Sequence, residues 1–167
     1  MTASTGALAL LAQIGDLVIA IDAAEIALLR HISDLAARRV EHNLYAIELD
    51  DEIVPGWDAG ELLGLGACDA SWVIASLPAV YGGRRFGLRV GRCIAVHKLP
   101  ACEPIPPSLF RARAGAISAG FATQLIAAPL EAPSGVVLDL SRLLGPGELA
   151  VGARLRAQRE AVLDRVT

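Results

Sequence analysis

Aromatic residues, cysteines and basic stretches are all scarce in this chain, and each shortage removes a class of function. Aromatics make up 4% of the 167 residues. Without aromatic side chains interleaved along a basic stripe, bases have nothing to stack on and phosphates little to neutralise them, so nucleic acid is not an expected partner. The formal net charge of −3 and the pI of about 5.6 point the same way. The one basic concentration, Arg84, Arg85, Arg89 and Arg92, reads either as a solvated β-hairpin or as a rim for an acidic partner surface. The three cysteines, Cys68, Cys93 and Cys102, are odd in number and show no CxxC spacing. That excludes a disulfide framework or a zinc site as the reading of first choice and leaves buried or loop thiols in a reducing compartment.

Long apolar runs are missing too. The chain is 54% hydrophobic with a mean hydropathy of +0.50, yet residues 7–12 and 17–21, its longest apolar runs, are bounded by Gln, Gly and Asp. Both fall far short of the ~18–20 residues that a helix needs to cross a bilayer. The first residues, MTASTGALALLAQIGD, lack a basic n-region and read as a polar start leading into a strand, not as a signal peptide. The expectation is a cytoplasmic protein with no direct membrane insertion.

Motifs that carry chemistry are equally hard to find. His31, His42 and His97 stand alone, with no HxH or HExxH, and Ser71, Ser76 and Ser118 lack the GxSxG elbow. Asp50, Asp51 and Glu52 lack the spaced ligands of a calcium loop, and Gly64-Leu65-Gly66 is not a dinucleotide loop. No enzyme, no metal and no cofactor is expected. A small β-barrel ligand-binding protein remains an alternative, but it needs a concave pocket with convergent polar groups that the sequence does not offer.

What the chain does have is a series of short β-type segments divided by turn residues. Residues 8–13 and 17–22 read as a hairpin around Ile14–Asp16. Residues 23–30 could continue as strand or form one or two helical turns, and 33–39 read as a short helix or loop beginning at Ser33. Residues 44–54 read as a second hairpin turning at Asp50-Asp51, with Pro55-Gly56 forcing a bend after it. Asp58 can then cap a helix over 59–63 that Gly64 ends. Strands follow at 71–77, 85–90 and 92–99, then a proline-rich connection at 101–109. Further strands are expected at 113–119, 123–128 and 136–139, with Asp139 capping a short helix over 140–144. Residues 148–166 read as a terminal helix with Val151, Leu155, Val162 and Val166 roughly on one face. About nine strands with closely spaced turns point to an all-β barrel or a pair of barrels, with Trp57 and Trp72 in a core or seam.

Five segments stand in order along nearly the whole chain: GDLVIAID at 15–22, Ile26 and Leu29, ELDDEIVPGWDA at 48–59, GGRRFGLRVGRCIAV at 82–96 and GVVLDLSRLL at 135–144. As a set they resemble the CheW family of bacterial chemosensory adaptors. The resemblance implies an all-β fold with short helices: a pair of SH3-like five-stranded β-barrels sharing a hydrophobic seam, plus a C-terminal helix. Residues 1–167 would form a single CheW-like domain of two intertwined β-subdomains. It further implies a non-enzymatic adaptor that binds the cytoplasmic tip of a methyl-accepting chemoreceptor. A CheA-type histidine kinase or another CheW-like protein would be the second partner.

By position in the resemblance, the partner-binding residues are Ile26, Leu28, Arg30, Leu49, Asp50 and Asp51. The departures from the family pattern fall among them. Asp50-Asp51 replace an Arg-Gly turn, Leu28 stands where an acidic residue is usual, and Gly91 stands where the later hairpin has Asp. The linker between Arg30 and Leu44 is short and lacks the usual prolines. A reversed charge at an interface costs several kcal/mol when like charges meet, so one of the usual contacts is expected to be lost or rewired. The alternative within the same fold is a structural array subunit that binds only other CheW-like barrels.

Overall fold

Alternation along the strands decides which side chains meet. In the strand Leu8–Ile14 (β1), Leu10, Ala12 and Ile14 join one buried cluster, whereas Ala9 and Leu11 join another. Leu17–Asp22 (β2) divides the same way, Ile19 and Ile21 against Val18 and Ala20. This is the period of two that points successive side chains to opposite faces of a sheet. The computed structural model describes residues 6–76, 83–99, 101–105, 116–121 and 135–166, with the backbone alone described at 118–121.

The remaining strands are Ile26–His31 (β3), Ala37–Glu41 (β4), Leu44–Leu49 (β5), Glu52–Asp58 (β6), Ser71–Ser76 (β7), Arg85–Val90 (β8), Cys93–Lys98 (β9), Ile117–Phe121 (β10) and Gly135–Leu138 (β11). Helices span Ala59–Leu63 (α1), Leu140–Leu143 (α2) and Pro146–Val166 (α3). The strands form a five-stranded sheet in the order β10-β11-β2-β1-β9 and a six-stranded sheet in the order β3-β7-β8-β6-β5-β4. Each sheet is antiparallel apart from one parallel pair, β11 on β2 in the first and β6 on β8 in the second.

Both sheets send one face into a shared core. Leu10, Ile14, Ile19, Ile21, Val136 and Leu138 come from the first sheet, and Trp57, Val73, Phe86, Leu88 and Val90 from the second. Each sheet's other face closes on a core of its own: Leu11, Val18 and Val137 in the first, Ile47, Val54, Trp72 and Ile74 in the second. Burying each Val, Leu, Ile or Phe side chain contributes roughly 1.5–3 kcal/mol, so the shared seam is the largest single source of cohesion. Backbone bonds reinforce it. The Gly91 N–H donates to the Gln13 carbonyl and the Gln13 N–H to the Arg92 carbonyl, both at 2.9 Å. A Cβ at Gly91 would overlap that Gln13 carbonyl, which gives a steric reason for glycine here.

The second core depends on glycine as well. Gly56 and Gly87 are paired neighbours on β6 and β8, and the Trp72 indole lies over them. A Cβ at Gly56 would stand 2.7 Å from Ile47 Cδ1 and 2.9 Å from Trp72 Cζ3. At Gly87 it would overlap the same Ile47 methyl. Tyr45 then packs edge-on to Trp72, with ring centroids 5.3 Å apart.

Both short helices are capped as their sequences suggest. Asp58 Oδ1 accepts from the Glu61 N–H at 3.0 Å, and Gly64 ends α1 at φ 72° in the left-handed region. Asp139 Oδ1 accepts from the Ser141 N–H at 3.0 Å. The longer helix α3 starts at Pro146, where a missing N–H costs nothing, and Glu148 reaches back to the Gly145 N–H at 2.9 Å. It seats on β6 through buried Gly152, where a Cβ would stand 3.0 Å from Trp57 Cη2 and 3.3 Å from Pro55 Cγ.

Several expectations change in detail. Residues 23–30 resolve into both alternatives, a 3-10 turn at Ala23–Glu25 capped by Asp22 and then β3. Residues 33–39 hold a 3-10 turn at Ile32–Asp34 capped by His31, not Ser33, and then the start of β4, a strand the sequence reading missed. Pro55-Gly56 lies inside β6 and not after a strand; β8 pairs only from Gly56 onward, so the sheet is still an edge at Pro55 and needs no N–H there. Val151 and Leu155 on α3 are half-buried, but Val162 is 54% and Val166 81% exposed, so only the first half of the expected apolar face is covered. The strand expected at 113–119 is met in part by β10, which begins at Ile117 and runs on through Gly120 and Phe121, while 113–115 and 123–128 lie outside the described residues.

Gly87→Ala is expected to destabilise the chain by about 1–3 kcal/mol, the cost of overpacking a filled core. Gly147→Ala, in the first turn of α3 with nothing within 4 Å of its Cβ position, is expected to be neutral or to stabilise by up to about 1 kcal/mol. Urea unfolding of the two variants checks the contrast, and equal losses would remove the case for Gly87 as the floor beneath Trp72.

Candidate partner-binding surface

The β5–β6 hairpin narrows to a two-residue turn. Leu49 pairs with Glu52, leaving Asp50 and Asp51 at the tip with φ of 48° and 65°. Two successive left-handed residues make the type I′ turn that matches strand twist, and Asp is among the few residues that tolerate it. Leu49 is buried in the second core and anchors the turn, while Asp50 and Asp51 are exposed. Arg85 from β8 reaches this tip: its guanidinium pairs closely with the Glu52 carboxylate and lies 3.9 Å from Asp50 Oδ2. Pairs this exposed contribute little to stability, about 0–1 kcal/mol, so their importance lies in geometry and charge.

Strand β3 carries the other expected residues. It lies at the edge of its sheet and pairs with β7. A register shift between Ile26 and Leu28 turns the two to different cores despite their spacing of two. Ile26 packs on the shared seam, and Leu28 packs on the second core together with Ile32, Leu35 and Tyr45. Arg30 is exposed and donates to the Leu29 carbonyl at 3.0 Å. The structure therefore brings Leu28 and Leu49 onto one core, leaves Arg30, Asp50 and Asp51 at the surface, and separates Ile26 from them. Leu29, 38% exposed on the same edge strand, is a surface apolar residue that the position-based choice passed over.

The arginine cluster divides. Arg84 and Arg92 are exposed, as a solvated hairpin requires, but Arg89 donates to the Tyr45 hydroxyl at 2.8 Å and lies 5.4 Å over its ring. Asp58, 1% exposed, accepts from the Glu61 and Cys68 amides. Burial pushes its carboxyl up in spite of those two donors. Burial, and after it the Asp58 charge, pushes the Cys68 thiol up to about 11, so this cysteine is structural. Among the described residues no group of three His, Cys, Asp or Glu side chains is placed to hold a metal ion.

A cleft of about 400 Å³ between α3 and the β4–β5 face went unread in the sequence. Ala36, Ala37 and Ala46 lie among its lining residues, with Leu155 and Val162 contributed by α3. The signal was weak: the five β4 residues, ARRVE, are all exposed and show no apolar alternation.

Since Asn-Gly is the preferred type I′ pair, the double substitution Asp50→Asn, Asp51→Gly should leave stability unchanged or raise it by a few tenths of a kcal/mol, roughly. Thermal unfolding checks this. A loss above about 1 kcal/mol would mean that the tip carboxylates serve folding and not a surface role.

No family model matches the sequence, and no curated protein matches it. Among solved structures, the chain is similar to the crystal structure of the scaffolding protein TtCheW from Thermoanaerobacter tengcongensis, with a TM-score of 0.68 over 87% of this chain and 92% of that one, at 14% identity. The architecture of two β-sheets about a common seam, with a carboxy-terminal helix, is thus the CheW-like fold.

Proposed function

We propose that this chain is a non-enzymatic adaptor of a bacterial chemosensory array, working in the cytoplasm as a single CheW-like domain. It binds the cytoplasmic tip of a chemoreceptor, and its second partner is a CheA-type histidine kinase or another CheW-like protein. The observation that carries the reading is the fold likeness to a scaffolding protein along almost the whole of both chains. The ordered sequence motifs support it independently.

The acidic turn supports the finer reading that one usual contact is rewired. Asp50 and Asp51 project from a turn fixed by buried Leu49, so their charge is presented with little conformational freedom to lose on binding. A partner surface matched to a basic turn would meet like charges here, at a cost of several kcal/mol, roughly. An accessory adaptor of the FrzB type, occupying receptors without recruiting the kinase in the usual way, fits that departure.

The test is a paired titration against the receptor's cytoplasmic tip and the kinase's regulatory domain, using the wild type and the Asp50→Asn, Asp51→Gly variant. The wild type is expected to bind the receptor, and the variant to change affinity for one of the two proteins by about tenfold or more. Binding to neither would overturn the adaptor reading. Binding to both at affinities indifferent to the substitutions would overturn the rewired contact and leave an ordinary adaptor.

A further inference from the structure

The acidic tip is joined to the carboxy-terminal helix by a short relay. Arg156, midway along α3, donates from Nη2 to the Arg85 carbonyl at 3.1 Å. The Arg85 side chain in turn holds Glu52 and approaches Asp50, so three contacts lead from the helix to the turn. Arg156 lies one turn beyond Gly152, the residue that seats α3 on β6, which fixes where its side chain emerges. Between helix and tip lies a cleft of about 260 Å³ lined by Asp51, Glu52, Ile53, Arg84, Arg159 and Leu163, among others. Burial above all, and Arg84 after it, disfavour the Arg156 charge, while Glu52 and Glu160 favour it. The contact seen on this half-buried guanidinium is its bond to the Arg85 carbonyl, and a buried donor that loses its acceptor is costly.

We propose that Arg156 is a positioning residue for the Asp50-Asp51 tip. By binding the Arg85 backbone it fixes the Arg85 side chain on Glu52 and Asp50, so that α3 governs the geometry with which the tip meets a partner. The inference rests on the proposed role of the tip as a partner surface. It adds that the helix acts on that surface through Arg85, without having to touch the partner itself.

Arg156→Met keeps the apolar stem in place and removes the donors. The readout is amide hydrogen exchange of the full chain with no partner present, residue by residue. The variant is expected to exchange about three- to fivefold faster at protected amides within residues 47–54 and unchanged in β1 and β2, the signature of local opening. Arg159→Met, in the same cleft but outside the relay, is expected to leave both regions as they are. Glu52→Gln breaks the relay at its far end and is expected to reproduce the local acceleration, which keeps the test open should Arg156→Met fold poorly. Unchanged exchange at 47–54 in folded Arg156→Met or Glu52→Gln, equal acceleration throughout the chain, or the same acceleration in Arg159→Met would each overturn the proposal. Because no partner takes part, a failure here is distinct from a failure of the adaptor reading, which the binding titration decides.

Discussion

The apolar seam between the two sheets is the constraint on which the rest of this structure depends. Neither sheet buries both of its faces by itself. Each closes one face on a private core and needs the other sheet to cover the second, through Leu10, Ile19 and Val136 on one side and Val73, Phe86 and Leu88 on the other. This accounts for a composition unusually apolar for a chain with so few aromatics. Small branched side chains fill two-sided strands, and the two tryptophans go where glycines make room. The backbone bonds between Gln13 and the Gly91-Arg92 turn add direction to a seam that apolar contact alone would leave free to slide.

With the interior settled, what distinguishes the surface is charge. The β5–β6 turn is rigid because Leu49 is buried below it and because left-handed backbone leaves its two aspartates few alternatives. The glycine floor beneath Trp72 lies in the same core as Leu49, so the tip is tied to the buried core of the second sheet. Arg85 answers part of the negative charge from within the chain. A turn that is at once rigid, acidic and only partly neutralised suits recognition better than stability, since exposed ion pairs contribute little to folding.

Much of this was legible in the residues because local chemistry and tertiary structure agree. Asp58 and Gly64 mark the ends of α1 through capping, and Asp50-Asp51 mark a hairpin turn, and both signals are read from a few neighbouring side chains. Most of the failures share a cause, dependence on a distant partner. β4 is the exception: β5 follows it after a two-residue turn, but ARRVE has no apolar alternation to announce a strand. Pro55 reads as a break, yet it is tolerated inside β6 because β8 joins one residue later. The separation of Ile26 from Leu28 follows from a register shift against β7 that no spacing rule reveals. Likewise the contact of Arg156 with Arg85 spans 71 positions, and its ends carry no motif.

The claim that the two sheets stand on one seam is tested most directly by scanning calorimetry of the intact chain. The account predicts a single transition whose calorimetric and van 't Hoff enthalpies agree, because losing either sheet exposes the face that stabilises the other. Two resolved transitions, or a calorimetric enthalpy about twice the van 't Hoff value, would contradict it and mean that each sheet is stable without its neighbour.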